Sequence, residues 1–369
     1  MYRDVLKYTI FILGNLVNFS YKLPAVKGIQ AGREYYVVMV PLKFLSKLFV
    51  TDAEYVSPEY RAQRRLNESR IPTIKNYILN NRNNYVFSAL SASIDEEFLF
   101  IPYKEGEDIG ILEIDMENTF LINDGQHRKT AIEEALKDDP SLGDETISVV
   151  FFEDKGLERS QQMFTDLNKH AVRTSNSLST LYDSRDEFAV ITKQVIAEIP
   201  FFQKYTDKEK DNLGKNSSKL FTLTNIYKAN KNILHGSIQD GDKEFLVNFW
   251  TTIVNNIIEW QELLNKELSK ADLKKGYILC LNITLLALGR IGNYYYTHRE
   301  IDMSSQLSKL RTIDWSRDNH TDWNGRAIRD NGKVNTGEKA VMLIANRIKE
   351  LLGISLTDME KKSEKFLKK

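Results

Sequence analysis

A single cysteine, Cys280, serves all 369 residues, and it sits inside the apolar run YILCLNITLLALGRIG. A disulfide framework is thereby excluded, as is a cysteine-rich zinc site, and a reducing compartment suits the chain. Neither sign of charge is in excess. Lys plus Arg number 51 and Asp plus Glu number 51, so nucleic-acid binding would have to rest on a local basic patch. No apolar run is long enough for a bilayer: the one around Cys280 carries Asn282 and Thr284 and meets Arg290 too early. Common catalytic signatures are missing as well. The five histidines (His127, His170, His235, His298, His320) form no HExxH, no glycine-rich run ends in Gly-Lys-Ser or Gly-Lys-Thr, and no GxSxG elbow occurs. Repeats, low-complexity blocks and a recognisable helix-turn-helix are also lacking.

What is present is an ordinary globular composition, 42% hydrophobic and 28% charged, with length for two domains. Residues 1–20, MYRDVLKYTIFILGNLVNFS, place basic residues before an apolar stretch as a signal peptide would. No small-x-small cleavage site follows, so they read as an N-terminal extension. From 21 to 175 short strand-like and helix-like runs alternate. EYYVVMVPL, YVFSALSASI, TFLIN and ISVVFFE read as strands; SRIPTIKNYILNN, KTAIEEAL and LERSQQMFTDLNKH read as helices. From 176 to 369 the pattern is almost wholly helical. RDEFAVITKQVIAEI, KEFLVNFWTTIVNNIIEWQELLNKEL, LKKGYILCLNITLLALGRIG and GEKAVMLIANRIKELLG all repeat apolar residues every three or four positions. The expected fold is therefore α+β: an α/β domain at 21–175 followed by a mainly helical domain at 176–369.

The chemistry concentrates at NTFLINDGQHRKTAIEEALKD, where Asp124, Gly125, Gln126, His127 and Arg128 fill the bend between a strand and a helix. Gly125 permits a sharp turn and a close approach. The helix N-terminus that follows carries unpaired N–H groups and a positive dipole end, and Arg128 could grip phosphate bidentately. Asp124 could cap the helix, orient Arg128 or hold a nucleotide's metal ion; the competing reading is an N-cap beside two solvated side chains. A second candidate is YRAQRRLNESR. On a helix Arg61, Arg64 and Arg65 would share a face suited to duplex phosphates, with Arg70 just beyond, although Glu59 and Glu68 partly neutralise it. Arg33, after Gly32 at the opening of a strand, is a third. WSRDNHTDWNGRAIRD gathers Asp314, Asp318, His320, Asp322 and Arg326, and reads best as a polar loop anchored by Trp315 and Trp323.

DGQHR is the signature of the DGQHR-domain proteins, and its flanks narrow the likeness. LPAVKGIQAGREYYVVMVPL, RAQRRLNESRIPTIKNYILNNRNNYVFSALSASID, FLINDGQHRKTAIEEAL, FTDLNKHA, SLSTLYDSRDEFA and WNGRAI stand in the order found in DndB. The resemblance runs from about Tyr21 to the C-terminus. DndB is the accessory protein of bacterial DNA phosphorothioate (sulfur) modification. The resemblance implies a cytoplasmic, non-catalytic DNA-binding regulator, usually a repressor, acting on the promoter of its own modification operon. Double-stranded DNA would be its partner, other DNA sulfur modification proteins could contact it, and the helical half would support a homo-oligomer. More distantly, the order helix, strand, strand, polar turn, helix, strand is similar to the ParB/sulfiredoxin fold, in which such a turn holds nucleotide phosphates. That likeness brings an alternative, a ParB-like nucleotide binder or NTPase taking ATP or CTP with Mg. In it His127 and Arg128 would face the phosphates with Asn168 nearby. No resident metal is expected from either likeness.

Overall fold

Along β2 (Arg33–Pro41), Tyr36, Val38 and Val40 are buried while Tyr35, Val37 and Met39 point to the other face. That period-two pattern is what a strand with one face on a core must show. In the computed structural model, residues 20–49, 66–94, 98–116, 118, 120–153, 157–169 and 174–365 are described. The chain divides into two units, Met1–Val172 and Arg173–Lys369.

In the first unit, β2 belongs to a seven-stranded mixed sheet of order β4-β5-β1-β2-β7-β3-β6. The strands are β1 (Ser20–Gln30), β2, β3 (Leu90–Ile94), β4 (Phe98–Pro102), β5 (Ile109–Asp115), β6 (Phe120–Asp124) and β7 (Thr146–Glu153). Every pairing is antiparallel except β3 with β7. The longer helices of the unit are α1 (Ile71–Asn80), α2 (Gln126–Asp138) and α3 (Leu157–Lys169). Ile78 of α1 and Ile132 and Ala135 of α2 join Val38, Leu90, Ile122, Val149 and Phe151 in one buried cluster on one face of the sheet. Each such side chain contributes about 1.5–3 kcal/mol by leaving water. The strand read from YVFSALSASI is shorter than its apolar composition suggests. It begins only at Leu90, because residues 85–89 are drawn off to other partners, including Arg128.

The second unit is mainly helical and holds all four tryptophans of the chain in its interior. Its principal helices are α4 (Asn176–Tyr182), α5 (Glu187–Glu198), α6 (Leu223–Leu234), α7 (Asp242–Asn256), α8 (Ile258–Asn265), α9 (Asn282–Thr297), α10 (Glu338–Leu352) and α11 (Asp358–Lys365). Some polar groups in this core are paired, since Trp250 Nε1 donates to Asn230 Oδ1 at 2.7 Å and Asn230 Nδ2 donates to Thr192 Oγ1 at 3.0 Å, whereas Trp260 Nε1 and Trp315 Nε1 are buried without a hydrogen-bond partner. The long periodic run at 243–268 is two helices, broken at Ile257, whose backbone is extended. Gln261 Nε2 donates to the Val254 carbonyl freed by the break, at 2.7 Å, so the interruption leaves that acceptor satisfied. Trp315 and Trp323 stack at 5.5 Å and are fully buried, anchoring the polar loop between α9 and α10.

Burial pushes the Glu259 carboxyl of α8 up to about 7, with Glu262 and Asp314 adding repulsion. The native state therefore binds a proton that the unfolded chain has released between the ordinary value of 4.5 and about 7. Stability should fall as pH rises through that window and stay lowered above it. Glu259→Gln is expected to flatten the decline and to add about 1–2 kcal/mol at pH 8, a figure reduced for the solvent that still reaches the group. Urea unfolding at pH 5 and pH 8 checks it; equal pH dependence in the two proteins would refute it.

Candidate nucleic-acid interface

Strand β6 ends at Asp124, and α2 begins two residues later. Gly125 between them has φ of 105°, the left-handed region, and a Cβ there would lie 2.4 Å from Leu90 Cδ2. Both the conformation and the space require glycine at this position. One helical turn on, Arg128 points back. Its Nη2 meets Asp124 Oδ2 at 2.6 Å, and its Nη1 donates to the Ala89 carbonyl at 2.9 Å and to the Ser88 carbonyl and hydroxyl. Of the roles open to Asp124, the geometry shows it orienting Arg128. Only 16% of the Arg128 side chain is exposed, so the guanidinium joins the turn to the segment entering β3. Arg128→Ala leaves two main-chain carbonyls and a carboxylate without that donor and should cost about 1–3 kcal/mol of stability. A thermal melt unchanged from wild type would contradict this.

His127 faces the other way. Its Nε2 accepts the backbone N–H of Asn67 at 3.0 Å, a role that places the ring proton on Nδ1. Asn67 in turn accepts from Ser69 N and Oγ with its side-chain oxygen, and α1 starts at Ile71. The far ends of the two helices are linked as well. Lys75 pairs with Asp138 at 2.8 Å, and Arg82, just past α1, pairs with Asp139 at 2.8 Å and Glu145 at 2.7 Å. Thus α1 and α2 run side by side in the same direction, and their N-termini, with their positive dipole ends, emerge together. Arg70 is exposed at the N-cap of α1. Gln126 and His127 open α2, whose N-cap has no side-chain hydrogen bond.

The remaining candidates are placed differently. Arg33 is exposed at the tip of the β1–β2 hairpin. The register carries the turn at Asp124 through Ser91 to Val150 and Val37, whereas Arg33 lies beyond Tyr35 and Phe152, toward the opposite end of the strands. Arg61, Arg64 and Arg65 lie outside the described residues; in sequence they lead directly into Asn67. Asn168 belongs to α3, where its side chain is not described. That helix covers the other face of the sheet, since Asn123 Nδ2 contacts Met163 Sδ at 3.1 Å while also donating to Ser93 Oγ at 2.7 Å. Sequence reasoning missed Asn67, Ser88, Ala89 and this buried Asn123–Ser93 pair. Among the described residues, no group of three His, Cys, Asp or Glu side chains is arranged to hold a metal ion. None of the described helices is long and apolar enough to cross a membrane.

An α+β protein with a DGQHR turn between edge strand and helix, followed by a helical unit, is the class that fold and turn define. The chain belongs to the DndB family: the family model described as DNA-sulfur modification-associated matches residues 23–355. No curated protein and no solved structure matches the chain.

Proposed function

We propose that this protein is a cytoplasmic DNA-binding transcriptional regulator, a repressor acting as a homo-oligomer on the promoter of its own DNA phosphorothioate modification operon. Membership of a family associated with DNA sulfur modification supports the setting. The observation that carries the DNA-binding reading is the hydrogen bond from Asn67 N–H to His127 Nε2. It joins the DGQHR turn to Asn67, so two helix N-termini and Arg70 come together at one end of the first unit, and Arg61, Arg64 and Arg65 precede Asn67 in sequence. Phosphate oxygens are the ligands that such a meeting of main-chain N–H groups with the Arg70 guanidinium fits. Main-chain N–H groups of Gly125 to Arg128 would position the backbone, and the arginines would supply charge.

A second reading keeps one observation in its favour. The left-handed Gly125 and the uncapped start of α2 would also suit a nucleotide phosphate in the ParB/sulfiredoxin manner, with ATP or CTP and Mg. Against it, the Arg128 guanidinium is already engaged by Asp124, Ser88 and Ala89.

Fluorescence anisotropy on the operon promoter and a scrambled duplex, across a salt series and with or without ATP or CTP plus Mg, separates the two. The regulator reading expects promoter preference and a steep salt dependence. Changing Arg61 and Arg65 together to Ala should lower that slope by about two, and Arg70→Ala by about one. Equal affinity for both duplexes would overturn it, and binding seen only with nucleotide would favour the second reading.

A further inference from the structure

The sheet of the first unit is covered unevenly. Helices α1 and α2 fill one face, and on the other α3 reaches β6 through Met163. Four further strands, β4, β5, β1 and β2, turn a row of apolar side chains outward on that second face. The registers set Ile101, Ile111, Pro24 and Met39 in line across the strands, and Ile109, Val26 and Val37 in the next line. Tyr103 donates its N–H to the Ile109 carbonyl at 3.0 Å and extends the second line. Val26, Met39, Leu99, Ile101, Tyr103 and Ile109 each remain between 43% and 60% exposed. Together they present roughly 600 Å² of apolar surface, at the top of what a monomer ordinarily shows in one patch.

We propose that this shelf is the surface on which a second copy of the chain packs, sheet face against sheet face across a twofold axis. The proposal gives the homo-oligomer of the regulator reading its interface and rests on that part of it. Two such shelves bury about 1,200 Å² in all, the lower bound for a specific stable interface. Sheets stacked this way sit about 10 Å apart with interdigitating side chains. Outside the shelf, large apolar side chains are exposed singly on separate elements, as with Tyr182 of α4, Ile258 of α8 and Met359 of α11. Among the described residues of the first unit the apolar surface that matches it is the same shelf on another molecule, and an isologous contact is the common way such a patch is closed. At one edge Lys22 and Glu113 form an ion pair at 3.3 Å, so the rim carries both signs and a copy can approach without like-charge repulsion.

Sedimentation equilibrium of the full chain without DNA tests this. Wild type should be dimeric at concentrations of about 10 µM, whereas Met39→Glu combined with Ile101→Glu should be monomeric, with dimerisation weakened by at least about 100-fold. The substituted side chains are already exposed, so the circular dichroism spectrum and melting curve should match wild type. Should that variant misfold, Leu99→Gln with Tyr103→Ser removes apolar area without adding charge and should weaken the dimer at least about tenfold. Met359→Glu, on α11 of the second unit, should leave the dimer intact. A wild-type monomer at about 100 µM would overturn the proposal, whatever else covers the shelf, and so would a dimer indifferent to both shelf variants. Promoter binding is read separately by anisotropy, so loss of the dimer and loss of DNA recognition are distinguishable outcomes.

Discussion

Gly125→Ala is expected to destabilise the first unit by about 2–6 kcal/mol, and two separate causes add. An alanine at φ of 105° sits in a region that costs non-glycine residues of order 1–3 kcal/mol. Its Cβ would also lie 2.4 Å from Cδ2 of Leu90, a side chain with no exposure at all and no room to yield. Overpacking of that kind costs about 1–3 kcal/mol more. Gly32→Ala separates the two causes. That glycine has φ of 72° but nothing within 4 Å of its Cβ position, so the substitution incurs backbone strain without a clash. Both would be measured by urea unfolding. Because every tryptophan lies in the second unit, far-UV circular dichroism should register the loss while the tryptophan fluorescence transition stays close to wild type. Equal effects of the two substitutions would mean that Leu90 moves aside, and the tight turn would lose its packing rationale.

The helices were legible where the chain carried a period. The runs at 185–199 and 337–353 became α5 and α10, ending within a few residues of their expected limits, since caps such as Asp186 and Gly353 are local signals. Strands of the central sheet were legible for a similar reason: β2 and β7 are dense in β-branched and aromatic residues. Three strands escaped. In β1, proline, glycine and lysine interrupt the apolar pattern; β4 is a five-residue run ending in Pro102; and β5 alternates over seven residues that include Gly110 and two acids. Their extended form is set by pairing across distant sequence, Ser20 with Asp115 for instance, and no local window contains that information. These strands carry most of the open shelf, with β2 adding Met39, so most of that surface was invisible before the fold was known.

The bend that carries the candidate site was legible in the sequence, and its geometry only partly. DGQHR marked the bend correctly, and the alternatives for Asp124 included the one observed. What the sequence could not convey is direction. Arg128 turns inward because the backbone carbonyls of Ser88 and Ala89 pass within one helical turn of it, a consequence of β3 pairing with β6 from thirty residues away. His127 turns toward Asn67 because α1 and α2 share a packing surface. An arginine committed to internal carbonyls explains why an Arg128 variant reports on folding as much as on ligand, and why Arg70 and the Arg61–Arg65 stretch are better probes of a phosphate contact.

Glu364→Ala should produce a loss of about 3–5 kcal/mol in the second unit, the range found when one partner of a buried ion pair is removed. Glu364 of α11 bonds Arg326 Nη2 at 2.5 Å through one oxygen and accepts from Asn346 Nδ2 at 3.1 Å through the other. Only 10% of the Arg326 side chain and 11% of the Glu364 side chain are exposed, and Asn346 is fully buried. With the carboxylate gone, a guanidinium would be stranded in a low-dielectric interior with its remaining bond to the Asp322 carbonyl at 3.3 Å. A second ion pair, Lys349 with Glu360 at 2.6 Å, would still hold the start of α11, so the helix should fray from its C-terminal end. The tryptophan fluorescence transition should move to lower urea while the first unit keeps its stability. Glu364→Gln keeps the hydrogen-bonding shape and removes the charge, and should fall between wild type and Glu364→Ala. Replacing both partners, Arg326→Met with Glu364→Leu, should recover most of the loss, because an apolar pair of similar volume leaves no charge buried. If the double substitution were as damaging as Glu364→Ala alone, the cost would lie in packing of α11 against α10 rather than in the stranded arginine.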